Sequence, residues 1–330
     1  LFPYTTLFRS GLSVTASSIL VKDSARILVS GSDDVAVIGV VLQAAEFVNL
    51  TGNVTSPTAI EIAAGADVLL DSAISATGSL SITAGTGNSQ TGSNAGANNA
   101  QSGSIVGTFF ADLSVLGDNS SIALSAGAGG GSIQLTNSDL SAARVDLTAL
   151  SGSVLHGPNG LIDTVQLHIL ASAGIAAQTQ AETIDAVVST AGDIRIRNLS
   201  GLRLEADTAD GFIEVSAAGT INAAQVLARG ESQNNGISLS ALSATQGSFS
   251  DLLLGSVMTS DTGNITLLAT GRIDGLADIV VDPAGLRAES VTIMARQVPD
   301  LVLRSRFADI TVLDPGSLNI TALGNQALTL

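Results

Sequence analysis

Apolar and polar residues alternate in short stretches along the whole chain, and each stretch follows a glycine. In the stretch that begins at Gly78, the alternate positions Leu80 and Ile82 are aliphatic, and serines stand beside them. Because successive side chains of a β-strand point to opposite faces, this pattern predicts short strands with one buried face. Equivalent stretches begin at Gly131, Gly192, Gly211, Gly236, Gly263 and Gly316.

Strands of this length are too short to bury an apolar face alone, so copies of the unit have to stack on one another. Most turn glycines are separated by roughly 18 to 28 residues, which fits one solenoid turn of two or three strands with their corners. The pattern therefore predicts an all-β fold, a parallel β-helix of about 14 or 15 turns that forms one elongated domain. Helical spacing of apolar residues is confined to short segments such as residues 183–188.

Two segments are expected to lie outside the repeat. Residues 1–10 resemble the conceptual translation of a sequencing adapter, so we expect an artefactual segment ahead of a solenoid domain over residues 11–330. Residues 84–104 lack large apolar side chains and are rich in Gly, Asn and Ser, which predicts a flexible insertion between turns. The chain starts without Met and ends without a closing element, so we expect a longer protein to continue at both ends.

The composition suits stacked aliphatic rows. The chain is 45% hydrophobic but only 3% aromatic, and it contains no Trp and no Cys. Aromatic side chains usually fill irregular cores, whereas repeating columns of Ile, Leu, Val and Ala do not need them. The lack of Cys excludes disulfides and thiol chemistry. The longest apolar run, near residues 35–42, is shorter than the roughly 20 residues of a transmembrane helix.

The charge is strongly acidic. Against 29 acidic residues the chain has 13 basic ones, which gives a formal net charge of −16 at pH 7, and Lys22 is its single lysine. Such a surface repels phosphate backbones, so we expect no nucleic-acid partner.

Glycine-rich and acidic motifs give no firm metal site. Calcium-binding nonapeptide repeats require an aspartate after the glycines, and none follows Gly129–Gly130–Gly131 at that position. Asp33 and Asp34 are interpreted as a solvated pair, although weak calcium binding through such surface carboxylates stays open. His156 and His168 are the two histidines, and their spacing matches no metal motif.

An enzyme interpretation would rest on residues 193–210. Catalytic β-helices that degrade acidic polysaccharides gather several carboxylates with a cation on one sheet. Here we expect salt bridges between neighbouring turns instead. We therefore predict no catalytic, cofactor-binding or metal-binding residue, no cofactor and no enzymatic activity. The acids and arginines concerned are Asp193, Arg195, Arg197, Glu205, Asp207 and Asp210.

Asparagines and aspartates between the strands are expected to turn the chain, because they accept left-handed backbone conformations almost as glycine does. The Pro158–Asn159–Gly160 sequence is interpreted in the same way, as an ordinary turn. The other positions are Asn137, Asp139, Asn198, Asn222, Asn234, Asn235, Asp261 and Asn264.

The sequence pattern of residues 191–206, which continues through residues 211–221 and 236–241, resembles that of the filamentous-haemagglutinin-like large exoproteins of Gram-negative bacteria and their β-strand-repeat relatives. The resemblance covers residues 70–330, and less closely residues 11–69. It implies a right-handed parallel β-helix, export across the envelope and a role as an adhesin or filament. It implies no catalytic residue.

Two functions are therefore weighed. The first is a structural or adhesive segment at the bacterial outer surface or outside the cell, which presents binding surfaces to a host-cell, matrix or glycan receptor or to neighbouring cells. The second is a carbohydrate-active β-helix enzyme, a polysaccharide lyase or glycoside hydrolase. An enzyme needs converging carboxylates and aromatic platforms for sugar rings, and the scarcity of aromatic residues favours the first function.

Overall fold

A computed structural model describes most of the chain. The described residues are 6–8, 12–16, 19–21, 27–29, 39–85, 103–108, 111–127, 129–230, 235–245, 247–259, 263–275, 285–314, 318–322 and 327–329. They contain strands, turns and loops but no helix. The chain divides into two compact units, residues 1–172 and residues 173–330, and each is described by itself.

The described residues of unit 1 form eighteen strands, and their described pairings within the unit are all parallel. They are β1 (Thr6–Phe8), β2 (Leu12–Ala16), β3 (Ile19–Val21), β4 (Ile27–Val29), β5 (Val40–Ala44), β6 (Val48–Leu50), β7 (Val54–Thr55), β8 (Ala59–Ala64), β9 (Val68–Leu70), β10 (Ile74–Ala76), β11 (Ser79–Thr83), β12 (Ile105–Gly107), β13 (Leu113–Val115), β14 (Ser121–Ala126), β15 (Ile133–Leu135), β16 (Leu140–Ala149), β17 (Ser153–His156) and β18 (Ile162–Ala171).

Thirteen strands lie in the part of unit 2 that the structure describes, and their described pairings within the unit are parallel as well. They are β19 (Gly174–Ala191), β20 (Ile194–Asn198), β21 (Leu202–Asp210), β22 (Phe212–Ala217), β23 (Ile221–Ala228), β24 (Gly236–Ala241), β25 (Leu252–Thr259), β26 (Asn264–Ala269), β27 (Ile273–Gly275), β28 (Gly285–Ala295), β29 (Val298–Val312), β30 (Leu318–Ala322) and β31 (Ala327–Thr329).

Each turn of unit 1 has three sides, because a strand pairs with the third strand after it. Thus β5 pairs with β8, β8 with β11 and β11 with β14. The same spacing relates β6, β9, β12 and β15 on another side. Parallel strands in this order can only arise when the chain winds round repeatedly, so the predicted parallel β-solenoid is confirmed.

The count of turns differs from the prediction. The described strands form about 11 turns, somewhat fewer than the 14 or 15 expected. Turns from β16 onward contain fewer and longer strands, because a long strand such as β16 passes a corner without a break. β16 pairs with β13 at Leu140 and with β14 from Arg144 onward, so one strand serves two sides. The predicted right-handed sense and the limits of the solenoid domain stay predictions.

The core consists of aliphatic columns in which like residues lie over like residues. In unit 1, Val48 lies over Val68, Ile105, Ile133 and Val154 in successive turns. All five are fully buried. Burial of each such side chain stabilises the fold by about 1.5–3 kcal/mol, and the repetition of one contact explains why the chain can dispense with aromatic residues.

Unit 2 has a similar column of five aliphatic residues on one side. It runs through Ile194, Ile213, Ile237, Ile265 and Val291, each at most 1% exposed.

The recurrent glycines are required mainly where stacked turns approach closely. A Cβ atom at Gly192 would lie 2.0 Å from the carbonyl oxygen of Ala173, and one at Gly65 would lie 1.9 Å from that of Ala45. Neither glycine has a positive φ. The absence of a side chain, more than a left-handed backbone, is therefore what these two corners need.

The remaining sequence predictions divide into three groups. The Gly78, Gly131, Gly192, Gly211, Gly236 and Gly263 stretches each lead into a strand within two residues, as predicted. Residues 86–102 of the predicted insertion, Gly316 and the Asp33–Asp34 pair lie outside the described residues. In the adapter-like segment, β1 pairs with β4, and the origin of residues 1–10 stays a prediction.

Candidate functional site

Carboxylates of the 193–210 region are engaged by arginines on the outward faces of unit 2. Arg195 contacts Asp193 at 2.9 Å, and Arg203 contacts Glu205 at 2.5 Å. In each pair the partners are two residues apart in sequence, so these contacts do not connect turns. The predicted salt bridges between neighbouring turns are therefore not formed by these two pairs.

Arg229 does connect neighbouring turns. Its Nε atom lies 2.8 Å from Oδ1 of Asp207, and its Nη2 atom lies 2.7 Å from Oδ2. This two-pronged hydrogen bond raises the pKa of Arg229 above its ordinary value. Arg272 makes a similar contact with Asp251, 3.2 Å away. Acids held by arginines in this way are poorly suited to proton transfer, which requires a carboxyl group with an accessible proton or lone pair.

The two histidines face different environments. His156 ends β17 and is 5% exposed, whereas His168 lies on the outward side of β18 and is half-buried. Among the residues that the structure describes, no three His, Cys, Asp or Glu side chains are grouped so that they could hold a metal ion.

One corner of unit 2 exposes several large apolar side chains. The residue directly after a strand occupies the same corner in successive turns, because its backbone N–H bonds to the turn before. Leu242 bonds to Ala217, Arg296 to Gly271 and Leu313 to Ala295. Leu242 is 41% exposed and Leu313 is 74% exposed.

Phe249 lies at the same corner, on the loop between β24 and β25. The guanidinium carbon of Arg296 lies 4.3 Å from the centre of its ring, which is a cation–π contact. Phe249 is still 57% exposed. We call Leu242, Phe249, Arg296 and Leu313 the Phe249 corner.

Hydrogen bonds hold the loop that carries Phe249. The hydroxyl of Ser243 donates to the carbonyl of Thr245 at 2.8 Å, and the hydroxyl of Ser248 donates to the same carbonyl at 2.8 Å. The backbone N–H of Ser250 donates to the Thr270 hydroxyl at 3.0 Å. The aromatic ring is thus held in position before any partner arrives.

The chemistry of the Phe249 corner suits contact with another molecule. Arg296 forms no ion pair within the described part of the chain, unlike Arg195, Arg203 and Arg229. An exposed ring beside a guanidinium offers an apolar surface and a hydrogen-bond donor together. The sequence did not reveal this pair, because Phe249 and Arg296 meet only when two turns stack.

No protein family, no curated protein and no solved structure matches this chain. Within the described ranges there is also no helix with the length and apolar character needed to cross a membrane.

Proposed function

We propose that this chain is a structural and adhesive segment of a bacterial exoprotein similar to the filamentous haemagglutinins, located outside the cell or on its outer surface. The observation that carries the proposal is the Phe249 corner on a parallel β-solenoid. The solenoid repeats its corners at fixed spacing, and this corner carries apolar side chains that no described contact buries. Exposed apolar clusters of this kind commonly mark protein-interaction sites.

The resemblance of residues 191–241 to large exoproteins supports the same proposal. The expected partners are a host-cell, matrix or glycan receptor, or neighbouring cells. The strong negative charge supports a solvated surface and argues against nucleic acid as a partner.

The proposal is tested by adhesion of the purified, fluorescently labelled chain to cultured epithelial cells and to plates coated with extracellular matrix. We expect saturable binding that falls about tenfold or more in Phe249→Ser, because buried aromatic anchors dominate most interfaces. Phe47→Ser is the matched control. Phe47 is also exposed, at 40%, but it belongs to unit 1, whereas the Phe249 corner belongs to unit 2, and its replacement should leave binding unchanged.

Two outcomes would contradict the adhesive role. One is the absence of saturable binding to every surface by the unmodified chain. The other is an equal loss of binding in Phe249→Ser and Phe47→Ser, which would indicate non-specific apolar adsorption.

A carbohydrate-active enzyme is the second candidate, favoured by the acids and arginines that share outward strands near Asp193 and Glu205. Incubation of the chain with pectin and alginate, followed by assays for new reducing ends and unsaturated products, distinguishes the candidates. Reproducible turnover would favour the enzyme. The arginine contacts described above lead us to expect none.

A further inference from the structure

His156 is a buried histidine with one nitrogen in a hydrogen bond and the other without a partner. Its Nε2 atom lies 2.7 Å from the carbonyl oxygen of Ser138. A carbonyl oxygen can only accept, so Nε2 carries the hydrogen and Nδ1 carries the lone pair. Nδ1 is buried and has no hydrogen-bond partner within the described residues.

The ring is enclosed by a tight turn. Gly157–Pro158–Asn159–Gly160 closes with a hydrogen bond from the Gly160 N–H to the Gly157 carbonyl at 3.3 Å. A Cβ atom at Gly160 would lie 2.9 Å from Cε1 of His156 and 2.4 Å from the carbonyl oxygen of Ser138. The turn therefore lies directly against the ring, and Nδ1 is buried while the turn is closed.

Ser138 holds the other side of the ring in place. It is 0% exposed, and its hydroxyl donates to the carbonyl of Thr108 at 3.1 Å. A shift of Ser138 towards water would break this bond as well, so the acceptor of His156 is fixed.

One nearby charge acts on the ring. Asp139 follows Ser138, and its carboxylate accepts a hydrogen bond from the Leu161 N–H at 2.9 Å, while its own N–H donates to Asp112 at 3.2 Å. The negative charge of Asp139 and the bond to Ser138 favour the protonated imidazole. Burial opposes them and is the largest effect, so the pKa of His156 is lowered from its ordinary value of 6.5.

We propose that His156 makes the Gly157–Gly160 turn of unit 1 acid-sensitive, because protonation at Nδ1 creates a buried N–H that gains a partner only when the turn opens to water. The proton comes from solvent, no covalent bond changes and the Nε2–H donor is retained. This proposal is independent of the proposed adhesive function.

The sign of the pH effect follows from linkage. As the pH falls through 6.5, the unfolded chain binds a proton at this histidine before the closed, folded chain does. Folding stability from this group is therefore full above pH 6.5 and is lost as the pH falls below it. The folding equilibrium constant should fall by up to about tenfold for each pH unit until the folded form also protonates.

Urea unfolding at pH 7.5, 6.5 and 5.5 measures this dependence. Carboxylates also titrate as the pH falls, so the informative quantity is the difference from His156→Gln, whose amide keeps a donor for Ser138 but does not titrate. We expect the unmodified chain to lose up to about tenfold more of its folding constant than His156→Gln between pH 6.5 and 5.5. His168→Gln, the matched control, should follow the unmodified chain.

An independent measurement uses nuclear magnetic resonance of histidine-labelled protein. The chain has two histidines, and loss of one signal in His168→Gln assigns the other. The His156 signal should titrate at a pH below 6.5 while the protein is folded. Amide exchange at Gly157 and at residues 159–161, corrected for the intrinsic rate, should accelerate over the same range.

The proposal is overturned if His156→Gln has the pH dependence of the unmodified chain, or if the His156 signal titrates at the ordinary value in the folded protein. If His156→Gln does not fold, the resonance measurement on the unmodified chain decides.

Discussion

Unit 1 and unit 2 each bury a polar side chain at the end of a short strand, and the two side chains differ in how completely they are hydrogen-bonded. His156 ends β17 in unit 1, and Asn198 ends β20 in unit 2. They are 5% and 1% exposed, so both are almost fully removed from bulk water. Burial alone does not distinguish the two residues, and the difference lies in their hydrogen bonds.

Asn198 uses both of its polar atoms. Its Oδ1 accepts from the Thr179 hydroxyl at 2.7 Å and from the Ala181 N–H at 2.9 Å. Its Nδ2 donates to the Ala181 carbonyl at 3.1 Å and to the Ser200 carbonyl at 2.9 Å. The side chain therefore connects two successive turns through groups that would otherwise be buried without partners.

The comparison shows that a buried polar side chain at a corner can stabilise the stacked turns at every pH or can make their stability depend on pH. Asn198 is neutral at every physiological pH and is fully hydrogen-bonded, so we expect it to stabilise unit 2 independently of pH. His156 is titratable and half-bonded, so the stability that it contributes to unit 1 depends on the proton concentration.

The largest expected effect on stability comes from replacing Asn198 by a titratable residue. Asn198→Asp replaces the Nδ2 donor by an oxygen that faces the carbonyls of Ala181 and Ser200. The buried carboxyl should stay protonated, with its pKa raised above that of the unfolded chain. Stability is then retained below about pH 4 and lost as the pH rises, which is opposite in sign to His156.

Urea unfolding measures this effect, and we expect a cost of about 3–5 kcal/mol at pH 7 that diminishes towards pH 4. Asn264→Asp is the matched control, because Asn264 is exposed at the start of β26 and should change little. A cost at pH 7 no larger than that of the control would show that the Asn198 bonds do not stabilise unit 2.

A smaller effect is expected from crowding the His156 corner. Gly160→Ala places a methyl group against the His156 ring and the Ser138 carbonyl, and overpacking of this kind costs about 1–3 kcal/mol. Gly157→Ala should cost less, because its nearest neighbour would be 3.3 Å away. Thermal unfolding at pH 7.5 compares the two variants, and equal costs would contradict a turn that closes tightly on the ring.

The smallest effect on stability is expected from substituting exposed charged residues, because water already solvates them, unlike the buried His156 and Asn198. Arg229→Gln removes the contact with Asp207. The side chains of Arg229 and Asp207 are 60% and 30% exposed, so the substitution should lower the free energy of unfolding by about 0.5 kcal/mol. The cost should fall further in about 0.5 M salt. Arg203→Gln is the control within one strand, and urea unfolding should show no larger change for it than for Arg229→Gln.

Local sequence pattern was sufficient to predict the strands. The glycine at position 192 and the alternating aliphatic residues after it led to β20, and the same pattern led to β22 and β24. Alternation is a property of each strand by itself, which is why it can be recognised without the fold. The length of β16 was not predictable in this way, because a strand that continues past a corner has no sequence signal at the position where it bends.

The roles of the corner asparagines were predicted only in part. Asn137 has φ 54° and turns the chain in the left-handed conformation, as expected. Asn198, Asn222 and Asn264 lie within strands and have no positive φ, so the prediction was wrong for their backbones. Their environment depends on which turn lies above and which below, and the side-chain bonds of Asn198 reach residues that sequence spacing alone does not identify.

The interpretation of Pro158–Asn159–Gly160 as an ordinary turn is confirmed by its closing hydrogen bond. The candidate site was less accessible to sequence analysis. Phe249 and Arg296 lie on different turns, and nothing in either local sequence predicts that the ring and the guanidinium lie against each other.

Val68 pairs with Ile105, and Ile105 pairs with Ile133. This column shows that the position of a strand in the stack does not depend on the length of the connection that leads to it. Three residues, 65–67, join the end of β8 to the start of β9, but many more join Thr83 to Ile105, and both connections return to the same column. Height along the stack advances by one strand spacing per circuit, however many residues a connection contains. Natural variation or an engineered graft can therefore lengthen such a connection while every aliphatic layer keeps its neighbours.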